Sequence, residues 1–194
     1  MSTDESYPPL SPSELSALLN HPIRDPLPCA EVKEILSLSP FIPLPYALNL
    51  RTVTSPTLPP NKIFRSGSLG HVPIETLAHL HTTYGITTVY DLRGKAERDK
   101  HPSPEIPGIE TVWIPHSEDK DPENGPKVVE IKIEEFAANE GVDAYLKRYE
   151  NVLIMYEEVY KAVFERIRDG EEGGVLFHCT GLSPLLIVSL KFIT

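Results

Sequence analysis

Two spacings of apolar residues alternate along the chain from position 62 onward: short runs and every-other-residue patterns, then recurrence every three or four residues. Lys62-Ile63-Phe64-Arg65 reads as a short strand. His71 to Tyr84 puts Ile74, Leu77, Leu80 and Tyr84 on one helical face, with Gly85 as its C-terminal cap. Ile86 to Leu92 is β-branched and apolar, the pattern of a buried strand, and Glu110 to Pro115 reads as another. Asp119 to Lys127 is a polar loop. The longest signal runs from Val142 to Ile167, where Tyr145, Leu146, Tyr149, Val152, Leu153, Tyr156, Val159, Tyr160, Val163, Phe164 and Ile167 keep helical spacing. This predicts one unbroken amphipathic helix reaching Arg168, packed through that stripe. Gly173-Gly174 then leads into a last strand, Val175 to Phe177. Strand–helix alternation predicts an α/β fold, with a mainly parallel central sheet flanked by helices.

The first part of the chain reads differently. Twelve of the 20 prolines precede position 61. Proline fixes φ and removes a backbone donor, so this stretch cannot be continuous regular structure. Two short helical patterns survive in it. Ser11-Pro12-Ser13-Glu14 opens one, with Leu15, Leu18 and Leu19 on a face, and Glu31 to Leu38 is the other. The expected organisation is an extension over 1–45 that wraps the core, a folded domain over 46–181, and an apolar tail over 182–194.

Composition narrows the function classes. A net charge of -10 and no basic stripe argue against a nucleic-acid partner. The same charge disfavours anionic substrates, so a phosphate site must create its own local positive potential. Cys29 and Cys179 are too few for a disulfide framework or a zinc cluster, which points to a reducing compartment. The first twenty residues lack the apolar core of a secretory signal. The apolar stretch Leu185 to Ile193 contains Lys191 and is far shorter than the roughly 20 residues that span a bilayer. A cytoplasmic protein without a membrane span is the expectation.

The chemistry concentrates where the last strand ends, at Phe177-His178-Cys179-Thr180-Gly181. A cysteine that attacks a phosphate ester must be a thiolate near neutral pH. A strand end that runs into a helix N-terminus lowers the thiol pKa and offers N–H groups to an anion. An arginine supplies a planar fork for the phosphoryl oxygens, and a carboxylic acid protonates the leaving oxygen. The alternative for Cys179 is a buried, inert thiol. Asp91 ends a buried strand, where α/β domains place ligand and catalytic groups. It is a candidate general acid or site carboxylate, or else it orders the next loop by pairing with Arg93. Asp119 and Asp121 lie on a loop able to close over a site, or are simply solvated. His79 and His81, two apart on a helix, face different ways and make a poor metal pair.

Asn49-Leu50-Arg51, then Ile63-Phe64-Arg65-Ser66-Gly67, then Ile86 through Asp91-Leu92-Arg93 with Glu97, precede His178-Cys179-Thr180 in that order. Over roughly residues 41 to 181 this resembles the tyrosine-phosphatase-like family of bacteria and fungi, related to the dual-specificity phosphatases. The resemblance implies Cys179 as nucleophile, with His178, Thr180 and Gly181 in the phosphate loop. It implies Arg65 and Arg93 as supports holding that loop, or as surface ion-pair partners of Glu97 or Asp91; Arg51 is undecided. It further implies no cofactor or metal, and a phosphorylated protein or phosphoinositide as substrate. The pattern departs from the family's after Thr180: Leu182, Ser183, Pro184 and Leu185 stand where Gly, Lys, Asp and Arg are usual, and Thr52 replaces an Asp. So abrupt a change implies an altered reading of the gene. Three readings follow: a phosphatase with impaired turnover, a binding-only pseudophosphatase, or the product of a misread gene.

Overall fold

The computed structural model describes Ser11, Ser13 and residues 27–127 and 129–180, without the side chains of Ile133 and Glu140. The helix expected after Ser13, Gly181 and the apolar tail lie outside the described residues. Five strands form one sheet: β1 (Arg51–Val53), β2 (Ile63–Ser66), β3 (Ile86–Asp91), β4 (Glu110–Val112) and β5 (Gly174–His178). Their order is β1-β2-β5-β3-β4. β5 runs parallel to β2 and β3, and β3 parallel to β4, while β1 pairs antiparallel with β2. The sheet is therefore mixed but mainly parallel.

β5 sits in the middle, and all five of its residues are buried. The pleat sends alternate side chains to opposite faces, so a central parallel strand must be apolar on both. Val175 and Phe177 face one side with Ile63, Tyr90, Leu92 and Cys179. Leu176 faces the other with Phe64, Ile86 and Val89. Fully burying one such side chain stabilises by roughly 1.5–3 kcal/mol. The strand starts on Gly173-Gly174 because nothing larger fits. A Cβ on Gly174 would lie 2.7 Å from the Phe64 ring, and Gly173 has φ +82.

Short helices fill the connections: α1 (Cys29–Ser37), α2 (Ile74–Thr82), α3 (Lys95–Lys100), α4 (Ser117–Lys120) and α5 (Ile133–Ala137). α2 buries Leu77 and Leu80 on the Leu176 face, together with Leu44 and Leu50 from the proline-rich segment. It starts later than its apolar pattern suggests, because Pro73 occupies the N-cap and its carbonyl takes the first bonds, from Thr76 and Leu77. Gly85 ends it with φ +66, the left-handed cap the sequence called for. β4 stops at Val112, short of the expected Pro115, and the Trp113 indole turns aside to donate to the Arg93 carbonyl at 2.9 Å. The short strand β1 and helices α3 and α5 carry no strong apolar period and are not foreseen.

The long helix is two helices. α6 (Val142–Met155) and α7 (Glu157–Arg168) meet at Tyr156, whose backbone leaves the helical region at φ -107, ψ 18. Hydrogen bonds continue on both sides: Tyr156 N–H donates to Val152 and its carbonyl accepts from Tyr160, each at 3.0 Å. The break falls at a buried side chain fastened to the sheet, for the Tyr156 hydroxyl donates to the Leu92 carbonyl at 3.0 Å. Val152, Met155, Val159 and Val163 cover the Cys179 face of the sheet, while Tyr145, Leu146 and Phe164 are exposed. The sequence stripe is wider than the sheet surface it covers.

Tyr156→Phe removes the donor from a buried carbonyl while keeping the ring. Chemical denaturation should show a loss of about 1–2 kcal/mol with an unchanged denaturant slope. No loss would show that the hydroxyl is not what holds the helix junction to the sheet.

Candidate active site

β3 and β5 run parallel and end together, with Asp91 in register with His178. The Leu92 N–H donates to the His178 carbonyl at 2.9 Å, extending the pairing by one residue. The next residue in β5's direction is Cys179, 4% exposed and packed with Leu92, Tyr156 and Phe177. Thr180 is exposed. Gly181 lies outside the described residues. The topology thus places Cys179 at the C-terminal edge of the central strand, beside Asp91.

Asp91 is 1% exposed and saturated with donors. One carboxylate oxygen accepts from the Arg93 N–H at 3.0 Å and Arg93 Nε at 2.9 Å. The other accepts from Arg93 Nη2 at 2.8 Å, Arg98 Nε at 3.0 Å and Ser103 Oγ at 2.5 Å. Burial alone pushes such a carboxyl up. The Arg93 hydrogen bonds, the neighbouring His178 and the Ser103 hydroxyl outweigh it and hold Asp91 down at about 2. A group that acidic carries no proton to give at neutral pH. The expected general-acid role for Asp91 does not fit this geometry: its carboxylate is an ionised anchor.

Arg93 is committed to the same cluster. Besides Asp91 it donates to the His101 carbonyl and to Ser103 Oγ, both at 2.8 Å. Its hydrogen bonds with Asp91 raise its pKa further. Among the described residues it binds no carbonyl of the 178–180 segment, so it supports that segment through Asp91 and not directly. Arg98 adds a face contact, its guanidinium 4.5 Å above the Trp113 ring. Arg98 and Ser103 were not foreseen; the sequence signal was weak, an arginine on a short charged helix and a serine in the loop after it.

His178 is 1% exposed, and neither ring nitrogen has a hydrogen-bond partner among the described residues. Its Nε2 lies 3.8 Å from an Asp91 oxygen. Burial lowers its pKa to about 4 despite the pull of Asp91 in the opposite direction, so the ring is neutral at pH 7.

A second acidic group approaches from β4's side. His116 caps α4, and its Nε2 lies 3.2 Å from an Asp119 oxygen that also accepts the Lys95 N–H at 2.8 Å. The His116 ring lies 5.5 Å from that of Tyr156. The Tyr156 hydroxyl is pushed well up, first by burial, then by Tyr160, Cys179 and Asp119. Cys179 and Asp119 thus both act on this one buried phenol. Asp121 sits apart and exposed, accepting the Asn124 and Glu123 N–H groups of its own turn. His116 and Tyr156 were visible in the sequence only as a loop histidine and a stripe residue.

Arg65 is half-buried on β2, opposite Arg51 on β1. Among the described residues it makes no hydrogen bond or ion pair, so the expected grip on loop carbonyls is not seen there. The described residues contain no group of three or more His, Cys, Asp or Glu side chains arranged to hold a metal ion, and no helix long and apolar enough to cross a membrane.

The buried imidazole generates a pH dependence. A folded pKa of about 4 against an ordinary 6.5 means that the unfolded chain binds more protons between these values. Stability from this source is complete above about pH 6.5 and is lost as the pH falls toward 4, by on the order of 2–3 kcal/mol at pH 4.5. Asp91, held at about 2 against 3.8, adds a further loss only below pH 4. Urea unfolding at pH 7.0, 5.5 and 4.5 measures the slope, and His178→Asn should flatten it. An unchanged slope in that variant would assign the acid sensitivity elsewhere.

Among solved structures, a mouse dual specificity phosphatase complexed with zinc tungstate aligns with 18% identity and a TM-score of 0.32, over 70% of this chain and 65% of that one. The chain thus spans slightly less than two thirds of that protein's length. No curated protein sequence matches it. The model of the tyrosine phosphatase family matches residues 47–181, well over half of the chain and inclusive of β1 through Cys179, and the chain therefore belongs to the tyrosine phosphatase family.

Proposed function

We propose that this chain carries a phosphoric monoester hydrolase site in which Cys179 is the nucleophile and Asp119 the proton donor. The observation that supports it most is the placement of a buried cysteine at the C-terminal end of the central strand β5, within a domain of this family. The Cys179 thiolate attacks phosphorus and the bond to the ester oxygen breaks. Asp119 gives its proton to that oxygen as the alcohol or phenol leaves. Water then attacks the cysteinyl phosphate, Asp119 takes back a proton, and phosphate and free thiolate result. By the family resemblance, Thr180 and Gly181 belong to the loop that holds the phosphoryl oxygens. The neutral His178 packs beneath the nucleophile, and Asp91 with Arg93 fixes the strand end. No cofactor takes part. Phosphorylated proteins or phosphoinositides are the substrate classes.

Leu185 favours a second reading, that of a site which binds and turns over poorly. An apolar side chain stands where the family resemblance calls for a bidentate cation. Loss of a transition-state arginine costs about 10³–10⁵ in rate in phosphoryl transfer. Pro184 removes a donor from the same segment.

Hydrolysis of p-nitrophenyl phosphate tests both readings. The chain as it stands should turn over at least about 10³-fold more slowly than a version carrying Gly-Lys-Asp-Arg-Thr-Gly and the following family helices after Gly181. In that version Cys179→Ser should abolish hydrolysis, and Asp119→Asn should lower kcat about 10²–10⁴-fold. Full activity with Cys179→Ser would exclude the cysteine mechanism; an unchanged kcat with Asp119→Asn would exclude this proton donor.

A further inference from the structure

Two arginines face each other across β1 and β2 on the side of the sheet that carries Cys179. Arg51 is paired with Arg65 in the antiparallel register, so the two side chains leave the same face with Cβ atoms about 5 Å apart. Arg65 is in parallel register with Phe177, which shares its face with Cys179 two residues further on. Strand rise and spacing put the Cα atoms of Arg65 and Cys179 roughly 8 Å apart.

Among the described residues neither guanidinium has a carboxylate partner. Arg51 donates to the Asn49 side-chain oxygen at 2.6 Å and lies 5.6 Å from the centre of the Phe41 ring. Both partners are uncharged. Among the described residues no carboxylate lies within ion-pairing distance of Arg51 or Arg65. Like charges directly opposite each other on neighbouring strands destabilise a sheet. Burial, and then Arg51, hold the Arg65 guanidinium below its ordinary pKa, with the nearby Cys179 acting in the other direction. In a protein of net charge -10, two facing cations without a counter-charge among the described residues, next to the proposed nucleophile, suit an anion. Guanidinium forks match the geometry of phosphate oxygens.

We propose that Arg51 and Arg65 form an accessory anion subsite beside Cys179, which takes the second phosphate of a substrate bearing two phosphate monoesters on a short or ring-shaped scaffold. The inference rests on the phosphatase reading of Cys179, since it assigns the first phosphate to that residue. The second phosphate sits within one sugar or benzene ring's width of the first. Monophosphates leave the pair empty and bind more weakly. The same headgroup chemistry is found in soluble bisphosphates and in lipids.

Isothermal titration with phenyl phosphate and with 1,3-phenylene bisphosphate, on the full chain and on its Cys179→Ser, Arg65→Met and Arg51→Met variants, tests the subsite. The bisphosphate should bind at least about tenfold more tightly than the monophosphate to the parent and to Cys179→Ser. Either arginine variant should bring the two affinities within about twofold. Each such variant removes one of two opposed cations, so its melting temperature should hold or rise, which a merely structural arginine would not allow. Arg51→Met approaches the pair from the other strand and keeps the test intact if Arg65→Met fails to fold. Retention of the bisphosphate preference in both variants, or equal affinities in the parent, would overturn the subsite alone. Binding of neither compound would overturn the phosphatase reading along with it. A parallel arm uses phosphatidylcholine vesicles containing a lipid with a bisphosphorylated headgroup. Arginine-dependent capture there, with weak binding of the phenylene compound, assigns the subsite to a lipid; the reverse assigns it to a soluble ligand.

Discussion

Everything near Cys179 depends on a single buried carboxylate. Asp91 ends β3 with almost no solvent contact, where an uncompensated charge would cost several kcal/mol. Five hydrogen bonds from Arg93, Arg98 and Ser103 compensate it. Those bonds bind the end of the strand to the loop that leaves it and to the start of the next connection. Because Asp91 and His178 are in register, the same cluster fixes the end of β5 and so the position of Cys179. The cluster stabilises little relative to an apolar replacement of equal shape. Its contribution is to specify one arrangement of the strand ends.

That commitment divides labour between the carboxylates. A fully hydrogen-bonded Asp91 stays ionised at neutral pH, and the proposed proton donor, Asp119, has fewer donors. Asp119 has one backbone N–H and one imidazole, and it sits on a short helix beyond β4. Positive charge is divided in the same way. Arg93 is consumed by Asp91, and among the described residues Arg51 of β1 and Arg65 of β2 have no carboxylate partner.

The sheet was legible in the sequence because buried parallel strands are continuous apolar runs, as in Ile86 to Asp91 and Val175 to Phe177. Helix α2 was legible from its period and from Gly85. The split at Tyr156 was not, because a helical stripe records which side chains face the core and not where one of them is fastened to a distant carbonyl. β1 was missed because three residues carry no period. At the site, Cys179 stood out by its strand, and Asp91 was read either as a site carboxylate or as a loop anchor paired with Arg93; the fold makes that pairing. Sequence shows that a carboxylate ends the strand; only the fold shows that Arg98 and Ser103 return to surround it. The pairing of Arg51 with Arg65 likewise follows from a register that no local pattern encodes.

The most direct measurement is the titration of Asp91 itself. Carbon-13 NMR of the aspartate side-chain carboxyls of the folded protein, with the Asp91 resonance assigned by its absence in Asp91→Asn, follows its protonation from pH 8 down to the pH at which the fold is lost. The anchoring account predicts a midpoint near 2 and a flat resonance between pH 4 and 8. A midpoint above 5 would mean that Asp91 holds a proton near neutrality. Asp91 would then return as the acid of the reaction, and the division of roles with Asp119 would be wrong.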